Sequence, residues 1–255
     1  MSEPERANAA RMYDHMLGGA HNFAVDRAAV ARVVASRPDA IRATWETRDF
    51  MRRVVTWCVE QGIDQFLDLG SGVPSVGNVH EIAHAVDPAV RVAYVDNEAV
   101  AVKHAEEITA PLDTVSISQR DLRDARSVLG APGVAGLLDL DRPVALLALA
   151  VLHFVPGDLG GTLTPYLRHL SSGSVLAVSH ASNDHSDPEL TARLESVARA
   201  YGDTDAPPTL RSRTEITALF DGLEIVPPGV VDLTDWPEPR PGIEPIGAYG
   251  AVGRV

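Results

Sequence analysis

The sequence predicts an α/β fold, a mostly parallel sheet covered on both faces, preceded by a helical extension over residues 1–62. Three observations predict it. From residue 63 onward, short apolar runs alternate with stretches of helical periodicity, the pattern of repeated strand–helix units. The run Val144-Ala145-Leu146-Leu147-Ala148-Leu149-Ala150 is apolar throughout, as a strand buried on both sides requires. The first run ends in Phe66-Leu67-Asp68-Leu69-Gly70-Ser71-Gly72-Val73-Pro74. That reads as a buried strand feeding a glycine turn that opens a helix, at the strand end where open α/β sheets bind ligands.

The elements follow in order. Residues 5–17 have helical spacing and stop at Gly18-Gly19, a helix-end signal. Residues 24–36 and 40–61 repeat the pattern, ending before Pro38 and at Gly62. Strands are expected over 64–69, 91–95, 114–118, 143–149 and 174–179, with helices over 75–86, 97–109, 123–130 and 157–170 between them. Helices over 187–201 and 213–221 come next, the second opened by the capping box Ser212-x-x-Glu215. Residues 223–226 and 246–255 read as late strands. The proline-rich stretch Trp236-Pro237-Glu238-Pro239-Arg240-Pro241 between them reads as a stiff covering or tying loop.

Composition narrows the function classes. A chain of 255 residues suits one full α/β domain with an extension. No apolar run reaches the roughly 18 residues of a membrane helix, and the N-terminus lacks the basic and apolar regions of a signal peptide. The single cysteine, Cys58, excludes an internal disulfide and a cysteine-based zinc cluster. A cytoplasmic location is the expectation. A formal net charge of −13 and the lack of any basic run oppose nucleic acid as a partner. Nothing opposes a homodimer.

The glycine turn lacks the dinucleotide spacing, because Ser75 stands where the third glycine belongs and Gly77 comes two residues late. An NAD enzyme is therefore disfavoured. The acidic Asp68 sits inside the strand, two residues before Gly70. The second strand ends in Asp96-Asn97, where a carboxylate can take both hydroxyls of a ribose, or simply cap the next helix. The third strand is followed by Asp121-Leu122, again with a helix cap as the plain alternative. Three polar features at three successive strand ends fit one bound nucleoside.

At this point the chain resembles a bacterial family of S-adenosylmethionine (SAM)-dependent methyltransferases of mostly unassigned substrate. The matching segments are Tyr13-Asp14-His15-Met16-Leu17-Gly18-Gly19-Ala20-His21-Asn22-Phe23, the Phe66–Pro74 turn, Gly77-Asn78-Val79-His80-Glu81, Tyr94-Val95-Asp96-Asn97, Val151-Leu152-His153-Phe154-Val155-Pro156 and Ser179-His180-Ala181. The resemblance runs from about residue 8 to the end. It implies a Rossmann-like class I methyltransferase fold with a seven-stranded sheet, an antiparallel last strand, and a SAM-binding domain over 63–255 behind an N-terminal lid. It implies SAM near Gly70, Gly72, Asp96 and Asp121, with Asp68, Ser71, Asn97, Leu122, Val151 and Asn22 completing the expected contacts.

Other constellations are weighed against plainer readings. His80-Glu81-Ile82-Ala83-His84 matches a zinc-protease motif, but it lies in the helix after the glycine turn and lacks a third histidine, so no metal is expected. Tyr13, His15, His21 and Asn22 concentrate donors and acceptors near Gly18-Gly19, and could fold over the methionine end of SAM or over the acceptor. His153, at the end of the fourth strand, is the leading general base, with His21 and Tyr13 as further catalytic candidates and His180 a weaker one. Arg27 and Arg48 could grip a carboxylate. The expected activity is methyl transfer to an O, N or C nucleophile of a small molecule. The alternatives are attack within SAM by its own α-carbon or α-amine, giving a small cyclic amino acid and methylthioadenosine, and a SAM-binding sensor without catalysis.

Overall fold

The computed structural model describes residues 4–255. Three helices come first: α1 (Ala9–Met16), α2 (Ala24–Ser36) and α3 (Ala40–Glu60). β1 (Gln65–Leu69), α4 (Val79–His84), β2 (Arg91–Asp96), α5 (Ala99–Thr109), β3 (Val115–Gln119), α6 (Ala125–Leu129) and α7 (Pro132–Ala135) then build half of the sheet. β4 (Ala145–Leu149), α8 (Leu159–Leu167), β5 (Val175–Ala181), α9 (Pro188–Ala200), α10 (Arg213–Thr217), β6 (Glu224–Ile225), β7 (Val231–Asp232) and β8 (Ala248–Arg254) complete it.

The strand order is β3-β2-β1-β4-β5-β8-β6, with β7 also on β8. β1 to β5 run parallel, and β8 is antiparallel to β5, β6 and β7. The expected seven-stranded sheet thus has eight strands among the described residues. The outer position beside β8 is divided between β6, inside the expected 223–226 strand, and β7, whose two residues are too few to show as a period in sequence. Because β2 and β4 flank β1 on opposite sides, the chain reverses its winding there and leaves a crevice at the carboxyl ends of β1 and β4.

Alternation along the strands sorts the core. Leu67 and Leu69 of β1 join Leu146, Ala148, Leu176 and Val178 under α6, α8 and α10. Phe66 joins Ala145, Leu147, Val175 and Ala177 under α3 and α4. α3 thereby packs on the sheet itself. α1 and α2 instead pack with α9, through Met12, Met16, Ala29, Val30, Val33 and Tyr201. The cover over the crevice is therefore composite, built from both ends of the sequence.

One helix boundary is corrected. The glycine turn does not open a helix at residue 75; α4 begins at Val79. Asn78 folds back on the loop, its amide donating to Ser75 O at 2.9 Å and its Oδ1 accepting from Ser75 N at 3.2 Å. Its own N–H donates to Glu81 Oε2 at 2.7 Å. Residues 70–78 are thus a loop with three left-handed glycines, Gly70, Gly72 and Gly77. The proline-rich stretch lies on α3, with Trp236 buried at edge contacts to Phe50 and Trp57 and Arg53 donating to Trp236 O at 2.6 Å and Leu233 O at 2.7 Å.

One buried ionic cluster fastens the cover to the sheet. Arg11 of α1 reaches Asp26 of α2 at 2.9 Å and Glu98, just after β2, at 2.7 Å. Asp26 is fully buried and also accepts from Asn8 N at 3.0 Å and Phe23 N at 2.8 Å. Replacing Arg11 leaves a buried carboxylate without its cation, which typically costs about 3–5 kcal/mol. Arg11→Met is expected to lose about that much stability in urea unfolding, and a loss under about 1 kcal/mol would contradict this role.

Candidate functional site

The site starts with backbone. After β1, the N–H groups of Gly70 and Ser71 donate to Val95 O at 2.7 and 3.2 Å, so the turn is strapped to β2. Gly70 has φ +73°, and a Cβ there would stand 2.2 Å from Val151 Cγ2. Neither the conformation nor the space allows a side chain. Gly72, at φ +67°, donates its N–H to Asp96 Oδ2 at 2.7 Å. The other oxygen of Asp96 accepts Glu98 N at 2.8 Å. Asp96 is not the cap of α5; Glu98 is, accepting Ala101 N at 2.8 Å. Burial raises the Asp96 pKa, and the N–H groups of Glu98 and Gly72 pull it back.

A cavity of about 710 Å³ opens over this loop and runs across the strand ends. Tyr13 and Asp68 line it, with Gly70, Ser71 and Gly72 at its base. Asp96 and Asn97 line its β2 side, and Asp121 and Leu122 its β3 side. Val151 and His153 line the β4 side. Asp121 does not cap α6, a role taken by Asp124. Its carboxylate is engaged by Arg123, whose backbone N–H and Nε donate at 2.9 and 3.0 Å, and this pairing lowers its pKa.

His21 and Asn22 do not line the cavity. Asp14, buried behind the α1–α2 loop, draws them inward: its Oδ2 accepts His21 N and Asn22 Nδ2, both at 2.9 Å. Asn22 also donates to Gly19 O at 2.9 Å, and the His21 ring packs on His104 of α5. Gly19 has no room for a Cβ beside the Asp14 carboxylate. The polar residues of this loop thus fold the loop, while Tyr13 reaches the cavity wall and donates its hydroxyl to Thr44 O at 3.3 Å. Burial raises the Tyr13 pKa, partly offset by Arg48. Arg27 donates to Asn22 O and Oδ1, both at 3.1 Å, away from the cavity.

The end of β4 is strained. Ala150 has φ +54°, the lone left-handed non-glycine residue among those described, and its N–H is held by Ser179 Oγ at 2.8 Å. A short helical turn, Leu152–Phe154, then presents His153. Its Nδ1 is buried without a hydrogen-bond partner. His180 stands edge-on at 5.4 Å between ring centroids. The His180 Nδ1–H donates to Ala181 O at 2.7 Å, and Nε2 accepts from Arg211 at 3.0 Å. That arrangement fixes a neutral imidazole, with its pKa near 4 through burial and then Arg211 against the counter-effect of the Ala181 carbonyl. Burial, His180 and Arg211 together push the His153 pKa well below the ordinary histidine value.

His80 and His84 are committed elsewhere. Tyr94 Oη accepts His80 N at 2.9 Å and donates to Nδ1 at 2.8 Å, while His84 Nε2–H donates to Val90 O at 2.9 Å. No group of three or more metal-ligating side chains converges among the described residues.

Sequence reasoning missed Arg37, Arg211 and the wall from α9. Arg37 pairs with Asp39 at 3.1 Å and donates to Ile246 O at 2.8 Å. Arg211 lies thirty-one residues from the histidine it holds. Neither sits in a local motif. Leu194, Val197 and Tyr201 line the cavity from α9 and the residue after it, and an amphipathic helical pattern gave no hint of which surface they would meet.

The site fits an amino-acid nucleoside. Bare glycine backbone lies beside Ser71 Oγ, a buried hydroxyl without a partner, and Asp68 is a buried carboxylate facing the same cavity. The model of a family described as S-adenosyl methyltransferase matches residues 2–255. No curated protein matches the chain. A DUF574-family protein from Streptomyces avermitilis is similar in structure, at 36% identity, 98% coverage of both chains and a TM-score of 0.91. So is a proposed methyltransferase from Thermobifida fusca, at 31% identity, 98% coverage of this chain, 95% of that chain and a TM-score of 0.90. Human N-acetylserotonin methyltransferase, solved with SAM, shares the fold at 15% identity, 98% coverage of this chain, 62% of that chain and a TM-score of 0.52. With its whole described length matched, the chain belongs to the SAM-dependent S-adenosyl methyltransferase family.

Proposed function

We propose that the protein transfers the methyl group of SAM to a nucleophilic atom of a small-molecule acceptor, with His153 as the base. The observation that carries this reading is the lining of the cavity. Beside the glycine loop and Asp68 it is lined by Tyr13, Met16, Phe154, Val197 and Tyr201, and by His153 and His180. SAM supplies an already electrophilic methyl carbon. The protein's task is to align the acceptor with that carbon and to exclude water. The apolar wall does both for a small acceptor with a largely uncharged body. The paired charges of Arg37 and Asp39 leave little net field on that side.

The nucleoside end is held by Asp96, Asn97, Asp121 and Leu122 in this reading, and the α-ammonium by Asp68. The acceptor loses its proton to His153, whose imidazole lines the cavity. A base is needed only where the acceptor carries a proton that must leave. Because its pKa is depressed, His153 stays unprotonated throughout the neutral range, and His180, fixed neutral, does not compete for the proton.

Two outcomes follow. Incubation with methyl-labelled SAM and a deproteinised bacterial extract is expected to give S-adenosylhomocysteine and label in a small molecule. His153→Ala is expected to lower kcat by about 10²–10⁴, with the wild-type kcat at saturating SAM flat from pH 8 to below 6. Formation of methylthioadenosine, or an acid limb at the ordinary histidine value, would contradict the assignment.

Asp68 titrates differently. Burial, offset by Arg48 and reinforced by Asp96, raises its pKa to about 7. Below that pH it carries a proton it must release to meet an ammonium. Affinity for S-adenosylhomocysteine should therefore fall about tenfold per pH unit below 7 and level off above it, and Asp68→Asn should remove the dependence. A pH-independent wild-type affinity between 5.5 and 8 would refute this role.

A further inference from the structure

We propose that Arg48 is a specificity-determining residue of the cofactor site, its guanidinium recognising the α-carboxylate of SAM while Asp68 faces the α-ammonium. The proposal rests on the SAM reading above and extends it to a residue on α3, outside the strand ends.

The argument starts from charges that line the cavity. Asp96 is satisfied by two backbone N–H groups. Glu98 is paired with Arg11, Asp121 with Arg123, and Arg37 with Asp39. Arg120 follows β3, two strands from β1, and donates to Gln119 O at 2.8 Å, while Asp205 lies beyond α9 and accepts from Asn8 Nδ2 at 2.9 Å. Where the cavity borders β1, two opposite charges are left without an ionic partner among the described residues: Asp68 and Arg48. An amino-acid zwitterion is the ligand chemistry that satisfies both at once.

Arg48 is also prepared for the task. Its Nε donates to Val76 O at 3.0 Å and its Nη2 to Ser75 Oγ at 2.9 Å, so the glycine loop holds the planar group in place. Nη1 meets only the thioether of Met51, at 3.7 Å, a weak acceptor. Nη2 also donates to Asn78 Oδ1 at 3.4 Å, so Nη1 is the nitrogen left to be filled, and its orientation is set before a ligand arrives. Arg48 is the cation whose field acts on Asp68, which places the two groups in one electrostatic unit.

The test is calorimetric titration of wild type, Arg48→Gln and Arg48→Lys with SAM and with decarboxylated SAM, which differ by the carboxylate alone. Wild type is expected to prefer SAM by roughly 10- to 100-fold, the span of a charge-assisted hydrogen bond. Arg48→Gln is expected to bind the two within about threefold while keeping its affinity for decarboxylated SAM. Arg48→Lys, which retains the charge without the fork, is expected to show a reduced but measurable preference, and it carries the test if Arg48→Gln does not fold. The proposal is overturned if wild type binds both compounds equally, if either variant keeps the full preference, or if Arg48→Gln weakens both alike, the mark of a residue that only braces the loop. Failure of wild type to bind either compound would instead remove the SAM reading itself.

Discussion

The carboxylate of Asp96 is the constraint on which the site depends. One oxygen holds Gly72 N–H and the other holds Glu98 N–H, so a single side chain joins the turn after β1 to the turn after β2. Glu98 passes the connection to Arg11, and Arg11 to Asp26. The nucleoside crevice and the helices above it are thereby parts of one hydrogen-bonded structure. A group so enclosed has its ionisation penalised by burial and sustained by N–H donors. Bracing the loop leaves room for the proposed contact with a ribose, because each carboxylate oxygen has more than one lone pair.

The histidine pair at the ends of β4 and β5 shows a second economy. Both imidazoles are kept uncharged, with burial the larger cause for each. His180 is fixed by a carbonyl on one nitrogen and a guanidinium on the other. His153 is left with an unpartnered Nδ1 and held neutral by its neighbours. Arg211 thus acts on both imidazoles. The strained Ala150, immediately before Val151, shows that the backbone at this strand end is dictated by its surroundings and not by local preference.

Much of this was legible in sequence because it lies at strand ends, where apolar runs stop at recognisable residues. Gly70, Gly72, Asp96, Asp121 and His153 each mark such a stop, and all line the cavity. The antiparallel β8 followed the family resemblance. What escaped was set by contacts distant in sequence. The 70–78 loop is longer than periodicity suggested because Asn78 turns back on Ser75. α7 and β7 are too short to leave a period. His21 and Asn22 look like ligands for a substrate, yet the buried Asp14 takes the His21 backbone N–H and the Asn22 amide and holds both outside the cavity lining. No pattern in one segment reveals a carboxylate waiting in another.

The claim that the β2 carboxylate organises a SAM site is tested most directly by calorimetric titration of folded Asp96→Ala with S-adenosylhomocysteine. The account predicts an affinity at least about tenfold below wild type, the loss of one or more charge-assisted hydrogen bonds, with a cooperative thermal melt retained. An unchanged affinity in a protein that melts like wild type would contradict it.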